Sequence, residues 1–217
     1  MLVVKNFCLS LNEKRLIQQV NFRIDKGHVL SLMGPSGIGK SSLLHFLSGT
    51  LHHSLTATGE VFLDGNPIHD KPTPLRKVGL LQQMPLLFPH MSILENLLFA
   101  ISGDLKPVER LQTAQQALEK LGIPDKANAL PDELSGGQQA RVALLRTLLS
   151  KPDYLLLDEP FSKLDPALRR DVRAFVLAEI RQANIPALLV THDTDDAKAM
   201  QGDCLELESS PSFSTST

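Results

Sequence analysis

Gly34-Pro35-Ser36-Gly37-Ile38-Gly39-Lys40-Ser41 is the stretch from which the rest of the chain can be read. It matches GxxxxGK[ST], with an apolar run, Val29–Met33, before it and a helix-forming run, Lys40–Ser48, after it. Glycines let a backbone wrap closely round an anion with its N–H groups pointing inward. The start of the following helix adds partial positive charge. The spacing therefore predicts a strand, a phosphate loop and a helix stopped by Gly49. Gly34 to Ile38 and Gly39 form the cradle, and Lys40 reaches the β- and γ-phosphates of a nucleotide. The Ser41 hydroxyl is a ligand for Mg²⁺, and Ser42 lies on the α-phosphate side.

Outward from this loop the pattern alternates. Upstream, Val20, Phe22 and Ile24 alternate with polar residues, and Asp25-Lys26-Gly27 turns the chain. Downstream, Glu60–Leu63 reads as a strand closed by Asp64-Gly65, a hairpin turn. The middle reads as helices over Ser92–Ser102, Pro107–Leu121 and Ser135–Leu149. In the second of these, Leu111, Ala114, Leu118 and Leu121 share a face. Tyr154–Leu157 and Ala187–Val190 are continuous apolar runs, as in strands covered on both faces of a parallel sheet. Between them Asp165 caps a helix with Pro166 in its first position, carrying Leu168, Val172, Phe175, Val176 and Ile180 on one stripe. The expected architecture is α/β: a parallel-sheet core, an N-terminal antiparallel β layer, and an inserted helical lobe.

Leu155-Leu156-Leu157-Asp158-Glu159 puts two carboxylates at the carboxyl end of a buried strand, where parallel sheets bind ligands. Beside a phosphate loop, Asp158 suits Mg²⁺, and Glu159 suits a general base acting on water.

Leu134-Ser135-Gly136-Gly137-Gln138 lies one helix upstream of Asp158. With this pentapeptide added, the chain resembles the ATP-binding-cassette (ABC) ATPases, the motor subunits of ABC transporters, from about Val3 to about Leu207. The resemblance implies a P-loop NTPase (RecA-like) fold: one domain over 1–217, with a nucleotide-binding core (1–84 and 150–208), a helical subdomain (85–149) and a flexible tail (209–217). Gln83 resembles the glutamine that senses Mg²⁺ and water, and is preferred to Gln82 for its spacing to Leu87-Phe88-Pro89-His90-Met91. Ser162-Lys163-Leu164-Asp165 resembles the loop that contacts the opposite subunit, and His192 the switch histidine at the γ-phosphate. The resemblance further implies that two cassettes sandwich two ATP molecules. Ser135, Gly136, Gly137, Gln138 and Asp165 then act in trans; spacing alone leaves cis and trans open. ATP and Mg²⁺ are the implied cofactors.

Family members stack an aromatic ring on adenine. Here the matching place is near Leu11, and Ser10–Arg15 holds no aromatic, so aliphatic or weaker packing of adenine is expected. Phe161–Asp165 and Leu87–Met91 are similar to bacterial solute importers, among which the length is nearest to the thiamine-type and uncharacterised compact members. The implied partners are a homodimeric or paired ABC subunit, integral membrane permease subunits and a solute-binding protein. Leu86, Leu87, Phe88 and Met91 fit a permease-docking surface or the core of the helical lobe. Export or lipoprotein-release systems usually carry Thr-Gly-Asn-Leu-Asp in place of this loop. Soluble translation or repair cassettes carry a second cassette or a long insert.

The net charge, 22 − 24 = −2, gives no global attraction for nucleic acid, so no such partner is expected. Cys8 and Cys204 form no ligand pair and read as buried thiols of a reducing compartment. MLVVKNF lacks the pattern of a secretion signal, and no apolar run approaches a bilayer's span. A cytoplasmic protein peripheral to the inner face of the membrane is expected, with no regulatory domain after Leu207.

Overall fold

Tyr154–Asp158 is the central strand of the protein, and its side chains build two cores at once. Leu155 and Leu157 enter one apolar cluster, while Tyr154 and Leu156 enter the other, because alternate residues of a strand point to opposite faces. The computed structural model describes residues 1–12, 14–84 and 86–207. In chain order the strands are β1 (Leu2–Leu11), β2 (Lys14–Ile24), β3 (Val29–Met33), β4 (Leu55–Leu63), β5 (Asn66–Pro67), β6 (Val78–Leu81), β7 (Tyr154–Asp158), β8 (Ala187–Val190) and β9 (Asp203–Glu206). The helices are α1 (Lys40–Ser48), α2 (Ile93–Ala100), α3 (Pro107–Lys120), α4 (Gly136–Leu149), α5 (Pro166–Ala183) and α6 (Thr194–Ala199).

The parallel sheet has the order β6-β7-β8-β3-β9, and an antiparallel sheet has the order β2-β1-β4-β5. One face of the parallel sheet is covered by α2, α4 and α5, whose apolar residues are continuous with Leu81, Leu155, Leu157, Ala187 and Leu189. On the other face Leu30, Leu32, Leu156, Leu188 and Val190 meet α1 and the antiparallel sheet. This is the α/β layering that the sequence predicts, with β3 and β8 falling on the expected residues.

Four features depart from the sequence reading. β1 carries no clean alternation because its inward residues change parity: Leu2 and Val4, then Phe7 and Leu9. A register shift between Val4 and Phe7, with Asn6 at φ 53°, inserts the extra residue. β4 begins at Leu55, five residues earlier than Glu60, because it pairs along the whole of β1. Leu111 of α3, expected on the buried face, is exposed, whereas Ala114 and Leu118 are buried. Of the two cysteines expected to be buried, Cys8 is half-buried and Cys204, on the edge strand β9, is exposed. The expected tail at 209–217 lies outside the described residues.

The turn and cap readings hold. Asp64 and Gly65 both have positive φ between Leu63 and Asn66, which pair, as a type I′ hairpin turn requires. The Asp165 side chain accepts the Leu168 N–H at the start of α5, and the structure adds a capping box of Ser92 and Glu95, which was not expected, at the start of α2.

Candidate functional site

The carboxyl ends of β3, β7 and β8 carry Gly34–Ser41, Asp158 with Glu159, and His192 at one end of the parallel sheet, whereas Leu11, Ser135–Gln138 and Asp165 stand on other elements. β3 runs into the loop at Gly34–Gly39, and α1 begins at Lys40. Gly39 has φ 109°, and a Cβ there would lie 2.6 Å from the side chain of Leu9 and 3.2 Å from that of Ile17. The loop thus rests directly on the β1–β2 hairpin, an approach open only to glycine. Lys40 is buried, and its ammonium donates to the carbonyls of Gly34 and Pro35 at 2.7 and 2.9 Å. The cation is held at the mouth of the loop.

Ser41 Oγ donates to Asp158 Oδ1 at 3.1 Å across 117 residues of sequence. Two oxygen donors of the kind that hard divalent cations take are therefore adjacent. Burial, chiefly, pushes the Asp158 carboxyl above the usual aspartate range; the Ser41 hydrogen bond opposes this and the neighbouring Glu159 charge adds to it. Stability follows with a definite sign. A carboxyl whose folded pKa lies above its unfolded one is more protonated when folded. Its ionisation therefore destabilises the fold as pH rises through that range. Asp158→Asn is expected to raise the thermal midpoint of the nucleotide-free protein at neutral pH, with the gap over wild type closing as the buffer is made acidic. Calorimetric melts at several pH values check this, and a lower midpoint at pH 7 would contradict it.

Glu159 takes a left-handed conformation, φ 45°, with its N–H donating to Val190 O at 2.9 Å. Such a backbone costs a non-glycine residue about 1–2 kcal/mol. It turns the Glu159 side chain towards the end of β8, where His192 Nδ1 lies 3.0 Å from Glu159 Oε1. Gln83, two residues beyond β6, donates through Nε2 to Ser162 Oγ at 3.2 Å, and Ser162 Oγ donates to the Glu159 carbonyl at 2.9 Å. Gln83, Ser162, Glu159 and His192 thus form one hydrogen-bonded chain.

Ser135 caps α4 in a capping box with Gln138: Ser135 Oγ accepts the Gln138 N–H, and Gln138 Oε1 accepts the Ser135 N–H. Gly137 is buried against α5; a Cβ there would lie 2.4 Å from Leu168 Cδ2. Leu11, at the end of β1, is exposed, while Leu9 beneath the loop is fully buried. Of the apolar residues after Gln83, Leu87 is buried in the core, whereas Leu86 is 58% exposed. The exposed apolar surface also includes Met84 and Phe99, and the Phe88 and Phe99 rings meet edge-on at 4.8 Å.

Sequence reasoning misses the residues that hold this segment. Asn96, fully buried in α2, donates to the carbonyls of Phe88, Met91 and Ser92 and accepts the Phe88 N–H. Arg146 of α4 donates to Asn96 Oδ1 and to the Leu86 carbonyl and lies over the Phe88 ring. A lone asparagine in the apolar run Ile93–Ala100 is the signal that was available.

The geometry is that of a nucleotide-phosphate site at the edge of a parallel sheet, and comparison with known proteins gives it a family. The profile described as ABC transporter matches residues 17–162. YnjD of Escherichia coli (strain K12), described as an uncharacterized ABC transporter ATP-binding protein, is 48% identical over 92% of this chain and 92% of its own length. The Fe(3+) ions import ATP-binding protein FbpC of Haemophilus influenzae (strain 86-028NP) is 38% identical over 91% of this chain, which spans 57% of that relative. Among solved structures, a dimeric post-hydrolysis state of the ATP-binding cassette MJ0796 bound to ADP and Pi superposes with a TM-score of 0.77. It shares 30% identity over 96% of this chain and 94% of the other. The chain belongs to the ABC transporter family. It is an ATP-binding cassette, an ATPase that binds and hydrolyses ATP.

Proposed function

We propose that this cassette is the motor subunit of a solute importer, closing on a second cassette around ATP and opening after hydrolysis. The observation that carries the hydrolytic part of this reading is the Glu159–His192 contact at 3.0 Å beside the Ser41–Asp158 pair. A base for water and the oxygen donors for a metal stand at one sheet edge.

In this reading the loop Gly34–Gly39 and Ser42 cradle the ATP phosphates, and Lys40 leaves its two carbonyls for the β- and γ-phosphates. Ser41 and Asp158, joined by Gln83, would hold Mg²⁺, which would supply charge neutralisation at the phosphates; Gln83 stands at Ser162, whose hydroxyl reaches the Glu159 carbonyl. Glu159 takes a proton from the attacking water. His192 holds the Glu159 carboxylate and meets the γ-phosphate. A second cassette brings its α4 start, Ser135–Gln138 with the N–H groups of Gly136 and Gly137, against the same phosphate, where a helix start favours negative charge, and its Asp165 into the shared interface. The dimeric MJ0796 cassettes support this pairing. Leu11 packs on adenine through aliphatic contact.

The transport class rests on likeness. FbpC and the spermidine/putrescine import ATP-binding protein PotA of Clostridium novyi (strain NT), 36% identical over 91% of this chain, are named as import subunits. No helix among the described residues is long and apolar enough to cross a membrane. In this reading the solute's path lies in separate permease subunits, as the likeness to import ATP-binding proteins implies. Met84, Leu86, Phe88 and Phe99 form the apolar surface that meets them, and segment 85–149 acts as the helical subdomain that moves with them. The cassette then sits at the inner face of the membrane, with a solute-binding protein supplying the permease.

The test is capture from native membranes with Glu159→Gln and ATP, followed by mass spectrometry. A permease with several membrane spans, together with a solute-binding protein, is the expected catch. Only soluble partners, or a permease of an export or lipoprotein-release system, would overturn the importer reading.

A further inference from the structure

We infer that Arg169, Arg173, Asp196 and Thr191 are positioning residues for hydrolysis: they fix the turn that carries His192 and tie it to the start of α5. The inference rests on the roles proposed above for Glu159 and His192.

Asp196 lies in the short helix α6 and is 1% exposed. Its carboxylate accepts from Arg169 Nε at 3.0 Å and Nη2 at 2.6 Å, from Arg173 Nε at 2.5 Å, and from Thr191 Oγ1 at 2.9 Å. Thr191 Oγ1 in turn accepts the Asp193 N–H at 3.1 Å. Asp193 caps α6 and pairs with Arg169 Nη2 at 2.9 Å. Both neighbours of His192 in the chain are therefore held by one buried network, while the imidazole itself is exposed and bonds Glu159.

The other end of the network is equally specific. Arg169 lies one turn into α5, and its N–H donates to the carbonyl of Asp165, the helix cap. Leu168 beside it packs on Gly137, and Leu164 approaches Gly136. A shift of the Ser162–Asp165 loop, or of the α4 start, thus reaches the His192 turn through the rigid first turns of α5. Arginine suits this task because its planar fork reaches Asp196 and Asp193 together. No new chemistry is involved; the network decides whether the Glu159–His192 pair is aligned. Misplacing a catalytic group by about 1 Å can cost about 100-fold in rate.

The experiment uses the full chain with Mg²⁺ and ATP, and reads turnover, ATP dissociation constant and melting midpoint. Thr191→Val keeps the shape and removes the hydroxyl; Asp196→Asn keeps the shape and removes the charge. Both are expected to lower kcat about 10- to 100-fold while ATP affinity and KM stay within about twofold. Thr191→Ser, which keeps the hydroxyl, is expected to retain kcat within about threefold. If Asp196→Asn does not fold, Thr191→Val decides. Wild-type kcat in Thr191→Val, or loss of ATP affinity in step with kcat, would overturn the inference. Glu159→Gln and His192→Ala run alongside. Normal turnover in those two removes the site reading itself, whereas their inactivity beside a normal Thr191→Val removes only the positioning network.

Discussion

Glu159→Gln is expected to bind ATP as tightly as the wild type and to lose at least about 100-fold in turnover. A positioned general base typically contributes about 10²–10⁴ in rate. The substitution keeps the shape and the hydrogen bond to His192, because the amide oxygen still accepts at the place of Oε1. Only proton acceptance is removed. ATP should then accumulate, and with it the closed pair of cassettes, so light scattering should show an ATP-dependent doubling of mass. Turnover within threefold of wild type would remove Glu159 from its role. Loss of turnover without the doubling would place the defect in nucleotide binding.

Lys40→Ala is expected to fail one step earlier, at binding. The Lys40 ammonium is buried and held by two loop carbonyls, so it is already desolvated and aimed at the loop. A hydrogen bond to a charged group is worth about 1.5–3 kcal/mol, and each 1.4 kcal/mol is tenfold in affinity. Loss of two such bonds to the phosphates should weaken ATP binding by at least about 100-fold. The rise in melting midpoint that ATP confers on the wild type should then vanish at the same nucleotide concentration. Calorimetry measures the first and thermal melts the second. A dissociation constant within threefold of wild type would show that the phosphates are held without this cation.

Most of the candidate site was legible because its parts are local. Gly34–Ser41 is one turn between a strand and a helix, and its glycines and lysine have a physical reason to stand at those spacings. Asp158-Glu159 follows an apolar run whose burial on both faces can be read from Tyr154–Leu157. Leu134–Gln138 is one contiguous pentapeptide at a helix start. What stayed hidden was of two kinds. Arg146, Arg169 and Asp196 look in sequence like ordinary polar residues of helices, since nothing in a helical period distinguishes a solvated charge from one paired across 27 or 50 residues; Asn96 alone left a trace, as the asparagine of an apolar run. β1 was hidden because a bulge at Asn6 breaks the alternation by which strands are recognised.

The residues Leu86, Leu87, Phe88 and Met91 mark the boundary between the two kinds. Hydropathy cannot separate an apolar residue that completes a core from one that waits for a partner. The fold separates them: Leu87 packs into the cluster of α2 and α4, whereas Leu86 faces outward near the exposed Phe99.

By itself the sequence determined the α/β class, the phosphate loop, the acidic pair and the order of the motifs, because each depends on contacts within a few residues or on a repeat of period 2 or 3.6. Only the tertiary structure decided that Ser41 meets Asp158, that Glu159 turns left-handed to meet His192, and that Asp196 joins two arginines of α5. Those pairings depend on the order of strands in the parallel sheet, β6-β7-β8-β3-β9. That order is set by how two apolar layers close on one sheet, and no stretch of the chain taken alone contains it.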